Sequence, residues 1–193
     1  GFESVNPSNL FTVEAIKVYL DKLEANGILS ITSWIKIPPR NSLKLFATII
    51  HSLNKENFDF SKKNVMMIRS WKTTTLIIKN GLITEKDINT LKLFSQNRSF
   101  DLIYYPGIKQ NEVNRYNLLE KPFFYEGTSQ LLSKDRGNFI KNYKFNIEPS
   151  IDSRPFFYNF FKWSSLPELL KLRTQGTVSM IEWGYIMLSL IHI

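Results

Sequence analysis

Apolar positions Val13, Ile16, Leu20 and Leu23 recur at helical spacing, which predicts an amphipathic helix over residues 12–26. Thr12 is placed to cap its first turn and Asn26-Gly27 to end it. The run Ile28-Leu29-Ser30-Ile31-Thr32-Ser33-Trp34-Ile35 follows at once and reads as a strand. A helix, a Gly stop and an apolar strand with almost no linker form the second half of a βαβ unit, so a parallel sheet with covering helices is expected. After Pro38-Pro39, Asn41 is placed to cap a second helix with Leu43, Phe46, Ile50 and Leu53 on one face. Val65–Trp71 and Thr73–Lys79 are two strand-like runs with almost no connector, so they must pair as an antiparallel hairpin and give the sheet a mixed edge. Thr84-Glu85-Lys86-Asp87 resembles a capping box and opens a helix to about Gln96. Asp101–Tyr105 is a short strand stopped by Pro106-Gly107, and residues 107–150 read as loops around a helix near Gly127–Ser133.

Two later stretches depart from this alternation. In Ile151–Trp163, six of thirteen residues are aromatic, and they follow Asp152, Arg154 and Pro155. A disordered tail would be poor in aromatics, so the run is expected to dock its rings on a folded body. Thr177–Ile193 is nearly all apolar apart from Glu182 and His192. Only eleven residues follow Glu182, too few to cross a bilayer, which takes about 20 apolar residues. This segment reads as the opening of a truncated membrane span with Glu182 at the boundary, or alternatively as a buried terminal helix. The chain starts without Met or a charged-then-apolar leader, and both ends read as cut.

Composition narrows the chemistry. With 193 residues and 43% hydrophobic content the chain can bury one good core, with or without an appendage. The formal charge of +8 divides into +6 over residues 1–100 and +2 over 101–193, with no block of like charge. So diffuse an excess argues against a nucleic-acid partner and fits a cytoplasmic face beside a membrane. There is no cysteine, which removes disulfides, Cys-ligated zinc and thiol nucleophiles. With only His51 and His192, neither a His-rich metal site nor a Ser-His-Asp system is expected, and His51 reads as a surface residue. Asn97-Arg98-Ser99 matches a glycosylation acceptor by chance.

The residues also carry a family resemblance. Leu10-Phe11-Thr12-Val13-Glu14-Ala15, leading through Leu20 to Asn26-Gly27-Ile28-Leu29, resembles the spermidine synthase family, which has Gly-Gly where this chain has Asn26-Gly27. Trp34–Leu45 with its Pro-Pro-Arg core, Arg98–Tyr105, Asn114-Arg115-Tyr116-Asn117 and Asp152-Ser153-Arg154-Pro155-Phe156-Phe157 look like a branch that carries membrane helices beside the enzyme domain. That branch usually has Asp-Asp-Arg-Pro-Phe-Phe, so Ser153 is a departure.

The resemblance implies an α/β fold: the C-terminal half of a Rossmann-like methyltransferase sheet, a parallel strand plus a terminal antiparallel hairpin, with an α-rich extension. It implies residues 1–81 as that half, 82–176 as a substrate-side extension with the aromatic run, and 177–193 as the start of a membrane segment. The chemistry implied is methyl or aminopropyl transfer from S-adenosylmethionine or its decarboxylated form to a small-molecule acceptor such as a polyamine, without a metal. The soluble part would lie on the cytoplasmic side of a membrane. The family's cofactor anchors are a Gly-rich turn and strand-end acids on strands before this stretch, and no G-x-G-x-x-G occurs here. The fragment alone is therefore expected to be inactive. A non-catalytic membrane-associated sensing or interaction module with the same fold is the alternative, and a basic nucleic-acid binder ranks last.

Substrate-pocket candidates follow, each with a plainer account beside it. Asp152 and Arg154, two apart, project to one face of an extended segment, where a carboxylate can hold an amine or a guanidinium a carboxylate; a pair pinning the aromatic run is the plainer account and is preferred. Tyr104 and Tyr105 end a strand and form a plausible cleft rim, or are ordinary packing residues. Asn114, Arg115 and Tyr116 belong to a polar loop cluster, where functional groups collect and where polarity is also ordinary. Trp34, with Lys36 and Arg40 after it, stands where the fold places its ligand, although a core tryptophan is the commoner case.

Overall fold

The computed structural model describes residues 7–53 and 62–165. Helix α1 spans Val13–Asp21, with the Ala15 amide donating to Thr12 Oγ1 as the sequence predicts. It stops five residues before Asn26, because the Asn80 side chain caps the Leu23 and Glu24 carbonyls and Asn26 then turns the chain at φ +64°. Strand β1 is Ile28–Trp34, helix α2 Asn41–Leu53, strand β2 Val65–Arg69 and strand β3 Thr73–Lys79. Helix α3, Glu85–Asn97, opens with the predicted Thr84–Asp87 capping box, and strand β4 is Asp101–Tyr104. The helix expected near Gly127–Ser133 is α4, Phe123–Leu131; helix α5, Arg136–Asn142, was not predicted.

The four strands form one sheet in the order β1-β3-β2-β4. β2 and β3 are the predicted hairpin, with Val65 opposite Ile78 and Arg69 opposite Thr74. The expected parallel sheet is corrected: every pairing between the four strands is antiparallel, β1 with β3 and β2 with both β3 and β4, and the one parallel pairing among the described residues is the single bridge of Leu102 with Val113. The reason is that the hairpin folds β3 back into the space between β1 and β2. Those two therefore run in the same direction, joined through α2, without bonding to each other.

One face of the sheet packs on α2, whose Leu43, Phe46, Ile49 and Ile50 are fully buried with Met67, Leu76 and Ile78. This core also takes in Phe124, Leu131, Ile147 and Phe157, so it continues across residue 81 without a break. The other face is smaller: α3 lays Ile88 and Leu91 over Met66, Ile68 and Tyr105 and leaves the β1 side open. There Ile28 is 55% and Trp34 67% exposed, and the outer edge of β1 pairs with no strand among the described residues.

α2 departs from a one-sided amphipathic helix. Its polar stripe Lys44, Thr48 and Ser52 is buried too, with the aromatic run over its Lys44 end. Lys44 Nζ donates to the Phe156 and Asn159 carbonyls and lies over the Phe157 and Phe160 rings. The Ser150 amide donates to Thr48 Oγ1, and Arg40 stacks on Phe145 and Phe160. The run docks as expected, but buried rings and a lysine hold it. Among the described residues no helix is long and apolar enough to cross a membrane, and Thr177–Ile193 with Glu182 lies outside them.

Candidate functional site

Arg69 ends β2 and Asp101 begins β4, directly opposite it. Both are buried, and Arg69 Nη2 donates to Asp101 Oδ2 at 2.8 Å. The same carboxylate accepts three backbone amides: Arg115 and Tyr116 on Oδ1 at 2.6 and 2.9 Å, and Asn117 on Oδ2 at 2.9 Å. Arg69 also donates to the Asn117 carbonyl and lies over the Phe124 ring. Buried charges persist only when paired and hydrogen-bonded, and this pair meets both conditions. With its lone pairs occupied, Asp101 is a structural anchor for the loop that follows.

That loop holds three of the predicted candidates, and the structure separates them. Asn114, at φ +54°, exchanges two hydrogen bonds with the Leu119 backbone and so builds the loop from within. Arg115 and Tyr116 give their amides to Asp101 and leave their side chains exposed. Those side chains, with Glu112, form one wall of a cleft of about 250 Å³. Lys92, Ser95 and Gln96 of α3 form the opposite wall, and Phe100, Asp101 and Leu102 the floor.

The cleft is electrostatically organised. Glu112 pairs with Lys92 at 2.9 Å, accepts the Tyr105 hydroxyl at 2.7 Å and accepts the Lys109 amide. The Tyr105 hydrogen bond first, and then Lys92, hold the Glu112 carboxyl down at about 2. Burial pushes the Tyr105 phenol up. Lys92 also lies 4.9 Å from the Tyr105 ring centroid. Ser95 Oγ is buried with no hydrogen-bond partner among the described residues.

The remaining candidates stand elsewhere. Tyr104 alternates to the opposite face from Tyr105, packs edge-on against Phe46 at 5.6 Å and donates its hydroxyl to the Lys62 carbonyl. Burial raises its phenol to about 12, and it is a packing residue on the α2 side. Trp34 is exposed at the carboxyl end of β1, the end of the sheet that also carries the exposed Trp71. Asp152 and Arg154 are on a turn closed by the Arg154 amide on the Ile151 carbonyl, so the extended geometry expected for them is corrected. Both side chains are exposed, neither lines the cleft, and among the described residues no ion pair joins them to the run they were expected to pin.

Sequence reasoning passed over Arg69, Asp101, Lys92, Ser95 and Glu112. Two of these had a signal: opposite charges at the end of one apolar strand, Arg69, and at the start of another, Asp101, are placed to meet across a sheet. A second cleft of about 430 Å³ lies between α3 and the open face of β1 and β3, with Ile28, Ile77, Met66, Leu91 and Phe94 among its walls. No group of three or more His, Cys, Asp or Glu among the described residues could hold a metal ion. Comparison with protein-family models, curated proteins and solved structures finds no match to this chain.

Proposed function

We propose that the chain is the C-terminal part of a Rossmann-like, spermidine synthase-like transferase domain, moving a methyl or aminopropyl group from S-adenosylmethionine or its decarboxylated form to a small acceptor. The observation that carries this reading is the course of β1, α2, β2 and β3, two like-directed strands joined by a helix with the hairpin strand set antiparallel between them. That is an α/β crossover closed by a terminal hairpin. Two further features support it. The outer edge of β1 pairs with no strand among the described residues, and a preceding sheet half would continue there. Asn26 takes the φ of +64° that suits the Gly of the family pattern, and Asn tolerates this region better than most residues.

On this reading the cofactor's anchors precede β1, and Trp34 stands at the strand end nearest to them. A displacement at a carbon beside a sulfonium chiefly needs alignment of the attacking atom, so the walls of that end would orient the acceptor. Association with a membrane through Thr177–Ile193, the soluble part on the cytoplasmic side, belongs to the same proposal. Calorimetric titration of residues 1–193 with S-adenosylmethionine tests it, since the reading expects no micromolar binding by this half alone. Micromolar binding would overturn it. The positive arm is transfer of a labelled group to an amine by this chain joined to a half bearing the Gly-rich turn, with loss of transfer in Trp34→Ala.

A sensing or interaction module of the same fold is the second reading. The polar cleft favours it, because it lies beyond β4, at the opposite edge of the sheet from Trp34.

A further inference from the structure

We propose that the cleft between α3, β4 and the 110–116 loop binds a small organic anion, a carboxylate or phosphate ester with a short apolar body. The assignment does not depend on the transferase reading.

Charge sets the sign of the ligand. Lys92 and Arg115 line the cleft against Glu112, while Asp101, beneath them, is neutralised by Arg69 and turned toward its three amides. Glu112 is itself occupied by Lys92, Tyr105 and the Lys109 amide, which leaves it little capacity for a cationic ligand. The Arg115 guanidinium has no partner among the described residues, although its backbone amide is fixed by Asp101. An exposed, unpaired guanidinium on a rigidly held backbone is a ready fork for a carboxylate or phosphate. The same surplus of positive charge is the wrong sign for a polyamine, so this cleft is distinct from any polyamine acceptor pocket.

Polar satisfaction adds the second, independent argument. Ser95 lies against the cleft from α3, is 2% exposed, and has a hydroxyl with no hydrogen-bond partner among the described residues. A buried hydroxyl normally finds a partner, and each exception calls for an explanation, a bound water, ion or ligand among them. An anion in the cleft supplies the missing acceptor. The Phe100, Leu102 and Tyr116 side chains give the apolar body of the ligand a surface, and the volume of about 250 Å³ limits it to a small metabolite.

The test is a titration of the labelled chain followed by amide and side-chain NMR, with inorganic phosphate, benzoate and spermidine as probes. Phosphate and benzoate should give saturable shifts confined to residues 92–96 and 112–116, and spermidine none there. Arg115→Ala should weaken binding at least tenfold without unfolding the loop, because the Asp101 anchor uses only the Arg115 backbone. Ser95→Ala should weaken it several-fold while leaving stability unchanged or higher, an outcome that a purely packing role would not give. Arg154→Ala, which removes an exposed arginine outside the cleft, should leave the titration unaltered. The proposal is overturned if the shifts are non-saturating and spread over all Lys and Arg, if Arg115→Ala titrates like the parent chain, or if spermidine is the probe that binds.

Discussion

β1 and β2 run in the same direction on either side of β3, yet all five residues of β2 are buried while β1 alternates between half-buried and exposed. Their neighbours account for the difference. Among the described residues β2 has a strand on each edge, α2 on one face and α3 on the other, whereas β1 has β3 alone on one edge and helix cover on one face. Apolar content does not by itself make a strand central. The periods already differ: Val65-Met66-Met67-Ile68 is unbroken, as a strand covered on both faces requires, while Ser30 and Thr32 alternate with Leu29 and Ile31.

The comparison breaks most readily at the end of β2. Asp101→Ala would leave the Arg69 guanidinium buried and release three loop amides, and should cost about 3–5 kcal/mol in urea unfolding. A loss below about 1 kcal/mol would mean that the β2–β4 anchor does not hold the loop. Met67→Ala, at a fully buried position in β2, should cost about 2–5 kcal/mol by the same measurement.

Lys44 tests the helix that serves both strands. Desolvation lowers its pKa from 10.5 to about 8, with Glu148 opposing. The unfolded chain therefore holds the proton that the folded chain gives up between those values, so stability should rise with pH from about 8 toward 10.5. The full rise would be up to about 3 kcal/mol. Lys162, also lowered by burial, acts in the same sense, so the quantity to read is the difference between the parent and Lys44→Met over pH 8 to 9.5, where the variant should show the flatter curve. The smallest effect belongs to β1: Trp34→Ala should change the stability of the chain by no more than about 0.5 kcal/mol. A larger loss would show that the open face is covered.

Local grammar was legible in the sequence wherever one residue type has one structural use. The Thr12 cap, the Thr84–Asp87 box and the hairpin between Arg69 and Thr73 all form where their residues predict. Strand order was not legible, because nothing within β3 records that it pairs with Ile28–Trp34 on one side and Val65–Arg69 on the other. The site divided similarly. Tyr105, Arg115 and Tyr116 were found as strand-end and loop polarity, and they meet at the cleft through Glu112 or line it directly. Lys92, Ser95 and Glu112 escaped notice because a lysine or serine on an amphipathic helix carries no mark of what faces it. Asp152 and Arg154 drew attention through the rings beside them, but the turn sends both side chains to solvent while Phe157 and Phe160 pack inward.

The lid over α2 has a consequence for synthesis. Thr48 waits for Ser150, 102 positions later, and Lys44 for the carbonyl of Phe156, 112 positions later. At roughly 5–20 residues per second, a nascent chain would expose that polar stripe for on the order of 5–20 s after it is made. During this interval the lysine is hydrated and ordinary, and only the arrival of Phe157 and Phe160 strips its water away. Burial of the polar stripe of α2 therefore requires that synthesis has reached the run of rings.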